Sequence, residues 1–420
     1  MAVAAFRSRT ARLAMISAAA PLITVAVAAA PASAGGYVAI SGSGSSWASV
    51  AIEQWAQDVR PQGLVVNYNP DGSAAGRADF IAGQDDFAAS DVPFRNGHDQ
   101  LGGTAREVVP WGFSYMPLPA GGIAFPYHIF VPGHPGHLLR SLRLSGETLM
   151  EIFTGQITNW DNSRIARDYG TRLPDLPITP VIHSEGSGVT YYFTRWLAHV
   201  FPRQWNAFCE RVHPGIVPPC GQTEFYPVFG LARGENGSSN VMTYITSSHG
   251  NGAIGYDEYA YPLSSHYPVL RLRNPARKYV LPTAADVTTA LTQAVINTDP
   301  HSPGYLQENL DKVYRYKNPA SYPLSYASYL IVPRAGLKPP PPHFTRAKGR
   351  TLSAFTVFAL CHGQTQVAPL GYAPLPPNLV KDGLHQAGRI PGHGPIPSPS
   401  QCHGNAPATA EPEFSYGPGS

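Results

Sequence analysis

Three Ser- and Gly-rich segments, each between a short apolar run and a helical pattern, constrain the fold of this chain most strongly. They are residues 41–47 (SGSGSSW), 71–76 (DGSAAG) and 185–190 (EGSGVT). The apolar runs before them, 38–40, 64–68 and 178–182, have the length of strands. Pro180 places the last run at a sheet edge or at the start of a strand. The order strand, polar turn, helix predicts an α/β fold, in which ligands bind at the carboxyl ends of the strands.

The three segments, here called the first, second and third openings, are suited to hold one anion. A helix amino terminus presents unpaired N–H groups and the positive end of the helix dipole. Glycine allows close approach of the backbone, and serine adds a hydroxyl donor. Ordinary helix capping is the favoured explanation of any one opening taken alone, whereas the combination of three in an α/β chain favours a shared anion site. No opening completes a Walker P-loop or a G-x-G-x-x-G fingerprint.

The amino terminus has the features of a secretory signal peptide. Arg7, Arg9 and Arg12 precede an alanine-rich run over 13–30 and a small-residue cleavage motif ending at Ala34. A retained membrane anchor is the alternative, although alanine is a weak membrane residue. No cysteine near the cleavage site offers a thiol for a lipid anchor. We therefore expect an exported protein that is periplasmic, cell-wall-associated or secreted.

The charge balance argues against nucleic-acid binding. The formal net charge is +3, from 30 basic and 27 acidic residues. The signal segment contributes three arginines and no Lys, Asp or Glu, so the remaining chain is neutral. Nucleic-acid binding requires several cations placed to neutralise phosphates.

Four cysteines fit an exported protein with structural disulfides. Cys209 and Cys220 flank a short Pro/Gly-rich loop, and Cys361 and Cys402 form the other expected pair. Four cysteines allow three connectivities. No Cys/His cluster has zinc spacing, and we expect no metal and no cofactor.

Short motifs follow one another in a fixed order through nearly all of residues 37–385. They are 42–47 (GSGSSW), 66–68 (VNY), 72–73 (GS), 86–91 (DFAASD), 144–149 (LSGETL), 152–160 (IFTGQITNW), 186–188 (GSG), 252–256 (GAIGY), 258–260 (EYA) and 372–376 (YAPLP). In this order they resemble the PstS family, the extracytoplasmic phosphate-binding proteins of ABC importers. The resemblance implies a monomeric protein that binds inorganic phosphate, has an importer permease as its partner and performs no chemistry.

The resemblance also implies a fold and its boundaries. The fold is α/β, a two-lobed periplasmic-binding-protein (type II) fold with a cleft between the lobes and crossover strands. We expect the chain to cross near 121–123 and to return near 329–331. The expected domains are a signal peptide (1–34), a first lobe (35–122 plus 329–385), a second lobe (123–328) and a Pro/Gly/Ser-rich flexible tail (386–420).

Carried over residue by residue, the resemblance implies a phosphate site at the three openings. Ser46, Ser73 and Ser187 match hydroxyl ligands, and Gly188 matches a backbone N–H donor. Asp91 matches a carboxylate that accepts the proton of hydrogen phosphate. An ionised carboxylate accepts hydrogen bonds but does not donate them, so Asp91 favours a protonated phosphate over fully ionised sulfate. For Asp91 alone, a turn residue is the alternative.

The third opening departs from the family pattern. His183 stands where the family has an arginine, and Val189 stands where it has a threonine. Thr190, one position later, offers a hydroxyl that replaces the lost one in part. We include Ser45, His183 and Thr190 among the candidate phosphate-binding residues. Arg77, inside the helix after the second opening, supplies charge from another direction or is a solvated helix residue.

Two other function classes remain open. One is an exported hydrolase, because His183, Ser187 and Asp91 are the residue types of a nucleophilic triad. Neither G-x-S-x-G nor H-E-x-x-H is present, however. A secreted relative of the binding proteins, with an altered ligand and no transport role, is compatible with the changed third opening.

Overall fold

The computed structural model describes residues 36–402 except 98, 103, 104, 135, 300, 303 and 337. The predicted signal peptide (1–34) lies outside the described residues. None of the helices in the described part combines the length and the apolar character needed to cross a membrane.

The strands are short except for two that pair at the centre of the molecule. In chain order they are β1 (Ile40–Gly44), β2 (Val66–Asn69), β3 (Phe87–Ser90), β4 (Phe113–Ala124), β5 (Arg143–Leu144), β6 (Thr179–His183), β7 (Arg233–Glu235), β8 (Ala253–Gly255), β9 (Asp257–Glu258), β10 (Arg271–Arg273), β11 (Tyr279–Val280), β12 (Val295–Ile296), β13 (Glu308–Asn309) and β14 (Ser325–Pro333).

Side-chain caps explain where several helices begin. Ser145, Asn162, Thr283 and Thr345 each accept a backbone N–H from the first turn of the helix that follows. The helices are α1 (Ser49–Val59), α2 (Ser73–Ala82), α3 (Gly146–Phe153), α4 (Ser163–Tyr169), α5 (Gly188–Val200), α6 (Pro202–Val212), α7 (Ser238–Thr246), α8 (Ala260–Ser264), α9 (Ala284–Leu291), α10 (Asp311–Tyr314), α11 (Arg346–Leu360) and α12 (Pro377–Ala387).

A six-stranded sheet in the order β2-β1-β3-β14-β4-β9 forms the first lobe. Strands β1, β2 and β3 are parallel, whereas β14 runs antiparallel to both β3 and β4. Helices α1, α2, α11 and α12 pack in this lobe. Because β1 and β3 are parallel neighbours, the residues after them, Ser45 and Asp91, emerge at the same edge of the sheet.

A parallel sheet in the order β7-β6-β8 forms the second lobe, with α5 and α7 following β6 and β7 in the chain. Its interior contains contacting aromatic rings of Phe153, Phe193, Tyr226 and Tyr256. Pro180 is the second residue of β6 and so lies at a strand start. Strand β4 precedes this lobe in the chain and β14 follows it, so these two strands connect the lobes.

The first strand differs from its prediction. The sequence predicts a strand at 38–40 and a turn from Ser41, whereas β1 continues to Gly44. The Ser/Gly run becomes part of the sheet because it pairs with β2 on one side and β3 on the other, which satisfies its backbone groups. Glycine at position 76 is also required there, since a Cβ would overlap the backbone of Ser43.

The carboxyl-terminal segment packs against the first lobe as far as Cys402. The sequence predicts a flexible tail from 386, but Ala387 and Ile390 are buried, and Cys402 is bonded to Cys361. Residues 386–402 are therefore part of the folded lobe, and the rest of the predicted tail (403–420) lies outside the described residues. Both predicted disulfides, including Cys209–Cys220, are confirmed.

Candidate anion-binding site

Asp91 lies at the centre of the predicted site and is buried. Its Oδ2 accepts hydrogen bonds from Ser45 Oγ at 2.8 Å and from Ser73 Oγ at 3.1 Å. The Asp91 N–H donates to Ser73 Oγ at 3.2 Å. The other oxygen, Oδ1, is buried and makes no hydrogen bond of ordinary length among the described residues, although the Ser328 hydroxyl lies near enough to the carboxylate to lower its pKa. The structure thus brings the first and second openings together around one carboxylate.

Burial raises the pKa of Asp91, and the hydroxyls of Ser328, Ser45 and Ser73 lower it in part. A buried acceptor without a donor costs about 1–3 kcal/mol. A ligand that carries a proton can remove this cost by donating to Oδ1.

Gly188, the first residue of α5, meets Asp91 from the second lobe. A Cβ at this position would overlap the Asp91 carboxylate, so the close approach requires glycine. The second and third openings also touch, because Ala74 N–H donates to the carbonyl of Gly186 at 3.4 Å. Ser187 precedes α5, is buried, and donates its N–H to the Glu224 carbonyl at 2.9 Å. The third opening therefore lies directly opposite the other two.

Ser46 lies beside this centre and contacts the second lobe. Its Oγ is 3.4 Å from Ser238 Oγ. Its carbonyl accepts hydrogen bonds from Tyr261 Oη at 2.8 Å and Ser49 Oγ at 2.9 Å. The backbone of the first opening is therefore fixed, while the Ser46 hydroxyl stays half-buried at the cleft.

His183 is fully enclosed and makes its contacts with acceptors. Its Nδ1 is 2.7 Å from Glu185 Oε1, and its Nε2 is 3.3 Å from the Tyr256 carbonyl and 4.0 Å from Asp257 Oδ1. Acceptors at both ring nitrogens favour the doubly protonated form of a histidine. Burial lowers its pKa, but the hydrogen bond to Glu185 and the charges of Asp257 and Glu185 outweigh burial and raise it. His183 therefore positions Glu185 and the third opening.

Thr190 also supports the second lobe from within. Its Oγ1 is 2.8 Å from the Tyr256 hydroxyl, and its side chain is fully buried. Val189 is buried as well. The Thr190 hydroxyl, which could have replaced the threonine hydroxyl missing at position 189, is thus hydrogen-bonded to Tyr256.

Arg77 differs from both sequence interpretations. It is fully buried, and its guanidinium pairs with Glu107 at 2.9 Å and with Glu224 at 2.7 Å, and donates to Ser90 Oγ at 3.2 Å. Two carboxylates neutralise its charge, so it is neither a solvated residue nor a free cation for a ligand. Arg77 follows Ser73 by four residues on α2, so the two side chains lie on one helix face. This spacing is the sequence feature from which the location of Arg77 beside the site could have been predicted.

Two carboxyl groups that sequence reasoning did not single out lie next to the site, on β9. Burial raises the pKa of Asp257 to about 6. Burial and the charge of Asp257 raise the pKa of Glu258 well above its ordinary value, and neither Glu258 oxygen has a hydrogen-bond partner among the described residues. The raised pKa favours the uncharged form of Glu258, and in that form the site is less negative than a count of acidic residues indicates. No group of three or more described His, Cys, Asp or Glu residues could hold a metal ion.

Comparisons with known proteins agree on one family. The family described as a PBP superfamily domain matches residues 28–361. The phosphate-binding protein PstS of Xylella fastidiosa (strain 9a5c) is 30% identical over 346 residues, which cover 82% of this chain and 83% of the relative. The phosphate-binding protein PstS 3 of Mycobacterium tuberculosis (strain H37Rv) is 28% identical over 348 residues, covering 81% and 84%. The matched relatives are binding proteins.

Two solved structures share the fold at low sequence identity. The phosphate-binding protein from Stenotrophomonas maltophilia matches with a TM-score of 0.57 at 17% identity, over 88% of this chain and 99% of that one. The high-affinity periplasmic phosphate-binding protein PfluDING, solved with bound phosphate, matches with a TM-score of 0.57 at 18% identity, over 82% and 92%. The predicted two-lobed α/β fold is confirmed.

Proposed function

The chain belongs to the PBP superfamily and, within it, to the PstS family of phosphate-binding proteins, and on this premise we propose that it captures inorganic phosphate between its lobes for an ABC importer. The proposed ligands are the hydroxyls of Ser45, Ser46, Ser73 and Ser187, the N–H of Gly188 and the carboxylate of Asp91. His183 and Thr190 act in this proposal by supporting the third opening.

The observation that carries the proposal is the buried Oδ1 of Asp91, which makes no hydrogen bond of ordinary length among the described residues. Hydrogen phosphate and dihydrogen phosphate carry a proton to donate to this oxygen, whereas sulfate is fully ionised at neutral pH. The same carboxylate that accepts a P–OH group repels an anion that has no proton. Asp91 is therefore the residue proposed to set selectivity.

Binding energy comes from hydroxyls and helix starts. The hydroxyls of Ser45 and Ser73 donate to Asp91 Oδ2. Each has a single proton, so it donates to a phosphate oxygen by turning from Asp91 towards the ligand. The N–H groups at the starts of α2 and α5 add further donors at the positive ends of two helix dipoles. Closure of the lobes excludes water and strengthens each of these hydrogen bonds. An anion can thus be held without an arginine in direct contact.

Transport without catalysis fits the contacts of His183. A serine nucleophile needs a neighbouring base with a free ring nitrogen. Both nitrogens of His183 face Glu185 and Tyr256, which disfavours a hydrolase built on Ser187. The resemblance to the PstS family supports export by the predicted signal peptide, a monomeric state and an importer permease as partner.

Calorimetric titration of the exported protein with phosphate, arsenate and sulfate tests this function. We expect saturable heat with phosphate and arsenate and none with sulfate at matched ionic strength. Absence of heat with all three anions would overturn the proposal. It would favour the secreted relative with an altered ligand, for which His183 and Val189 at the third opening are the supporting observation.

A further inference from the structure

Ser238 places a hydroxyl against the candidate site from a segment outside the three openings. It is the first residue of α7 and follows Gly237, whose φ of 78° favours glycine. Its side chain is 1% exposed. A nearly inaccessible hydroxyl at this location belongs to the closed cleft and not to the protein surface.

The partner of Ser238 across the cleft is a proposed phosphate ligand. Ser238 Oγ lies 3.4 Å from Ser46 Oγ, although the two residues are 192 positions apart in the sequence. Tyr261 Oη donates to the Ser46 carbonyl at 2.8 Å. With the Ser46 backbone fixed in this way, the Ser46 hydroxyl can change its direction only by rotation of the side chain. Ser238 is placed to determine this direction.

The surroundings of Ser238 also explain why the second lobe needs this hydroxyl. Val189 at the third opening has no donor, and the hydroxyl of Thr190 is used by Tyr256. The single proton of the Ser238 hydroxyl has three acceptors within reach, namely Asp257, Tyr261 and Ser46 Oγ. In the arrangement in which Ser238 donates to Ser46 Oγ, the Ser46 proton is left to point at the anion. Hydrogen bonds aligned in one direction strengthen each other, so a Ser238–Ser46–phosphate chain stabilises the bound anion more than Ser46 alone.

We infer that Ser238 is a positioning residue of the phosphate site, which orients the Ser46 hydroxyl towards the ligand when the lobes close. The inference rests on the proposed function. It adds one residue of the second lobe to the site and gives α7 a part in binding.

Two substitutions of equal shape isolate the hydroxyl of Ser238. Ser238→Thr retains the hydroxyl and Ser238→Val removes it, while both add the same bulk. We expect Ser238→Val to bind phosphate about fivefold more weakly than Ser238→Thr, as for the loss of one hydrogen bond. Ser239→Ala changes an exposed residue one position later and should leave the affinity unchanged.

A double-mutant cycle separates positioning from a structural role. In a Ser46→Ala background, Ser238→Val and Ser238→Thr should bind phosphate equally, because the hydroxyl to be oriented is gone. A merely structural role would keep the difference between them in both backgrounds. If the unmodified protein binds phosphate and the Val and Thr variants do not differ, this inference is overturned and the proposed function stands. If the unmodified protein binds no phosphate, both are overturned.

Discussion

Arg77 of the first lobe and Glu224 of the second lobe form a buried ion pair across the cleft. Arg77 Nη2 is 2.7 Å from one carboxylate oxygen of Glu224 and 2.9 Å from the other. The side chains are 0% and 1% exposed. This contact places a pair of opposite charges where the lobes meet, beside the second and third openings. It couples lobe closure to the stability of the whole protein.

Removing Arg77 should destabilise the protein strongly. Arg77→Met removes the buried cation between Glu107 and Glu224 and leaves only the partly exposed Arg95 beside them, and we expect the free energy of unfolding to fall by about 3–5 kcal/mol. Urea denaturation measures this loss. Arg172→Met breaks an exposed pair with Asp161 and should cost no more than about 1 kcal/mol. Equal losses in the two variants would contradict a special role for the buried pair.

Gln100 should affect ligand affinity more than stability. Its side-chain amide donates to the carbonyls of Val217 and Pro219 at 2.9 and 3.1 Å and accepts the Val217 N–H at 3.1 Å. These contacts link the lobes at the exposed rim of the cleft. We expect Gln100→Ala to reduce the closed population and weaken phosphate binding about three- to tenfold. Calorimetric titration measures the change, and Gln57→Ala, at an exposed position of α1, is the control. Identical phosphate affinities of Gln100→Ala and the unmodified protein would exclude a role of Gln100 in lobe closure.

Asp91→Asn should relax the selectivity of the site. An asparagine amide donates as well as accepts, so it no longer repels a fully ionised anion. We expect the variant to bind sulfate measurably and to lose most of its preference for phosphate. Competition between phosphate and sulfate in a titration provides the readout, with Asp71→Asn, at an exposed carboxylate, as the control. Asp71 is the first residue of the second opening and is not among the proposed ligands. Selectivity of Asp91→Asn that stays unchanged would remove Asp91 from its role.

His183 should make stability depend on pH near neutrality. Its pKa is raised in the folded protein by Glu185 and Asp257 against the effect of burial. A raised pKa contributes stability that is complete below the unfolded value, about 6.5, and is lost as pH rises through the folded value. The difference in unfolding free energy between the unmodified protein and His183→Gln should therefore be largest at acid pH and shrink above neutrality.

Denaturation series from pH 5 to about pH 9 test this dependence. The His249→Gln substitution, at an exposed position, is the control. A flat profile for His183→Gln would show that folding does not shift the pKa of His183. A difference that grows with pH would have the wrong sign for a raised pKa.

Local patterns carried much of the sequence-based prediction. Ser/Gly segments before helical patterns located the second and third openings because such residues satisfy helix starts with little side-chain bulk. The Cys209–Cys220 pair followed from its short sequence separation, and Cys361 and Cys402 were the two cysteines that remained. The first strand was displaced by several residues, since pairing of 41–44 on two sides depends on strands that are distant in sequence.

Contacts made on closure of the lobes were beyond reach of such patterns. Arg77 and Glu224 are 147 residues apart, and nothing near either residue in the sequence indicates the other. The same holds for Ser46 and Ser238, which meet only across the cleft. His183 was expected to act as a weak donor to the ligand, whereas its surroundings of acceptors are set by the fold of β6, β8 and the third opening.

The location of a bound anion tests the central claim most directly. Arsenate is tetrahedral like phosphate, and its arsenic atom gives an anomalous X-ray signal that identifies it without ambiguity. In crystals of the exported protein grown with arsenate, we predict one strong anomalous peak within hydrogen-bonding reach of the Asp91 carboxylate, Ser73 Oγ and the Gly188 N–H. A peak at another place, or no peak in crystals of a protein that binds arsenate in solution, would contradict the account.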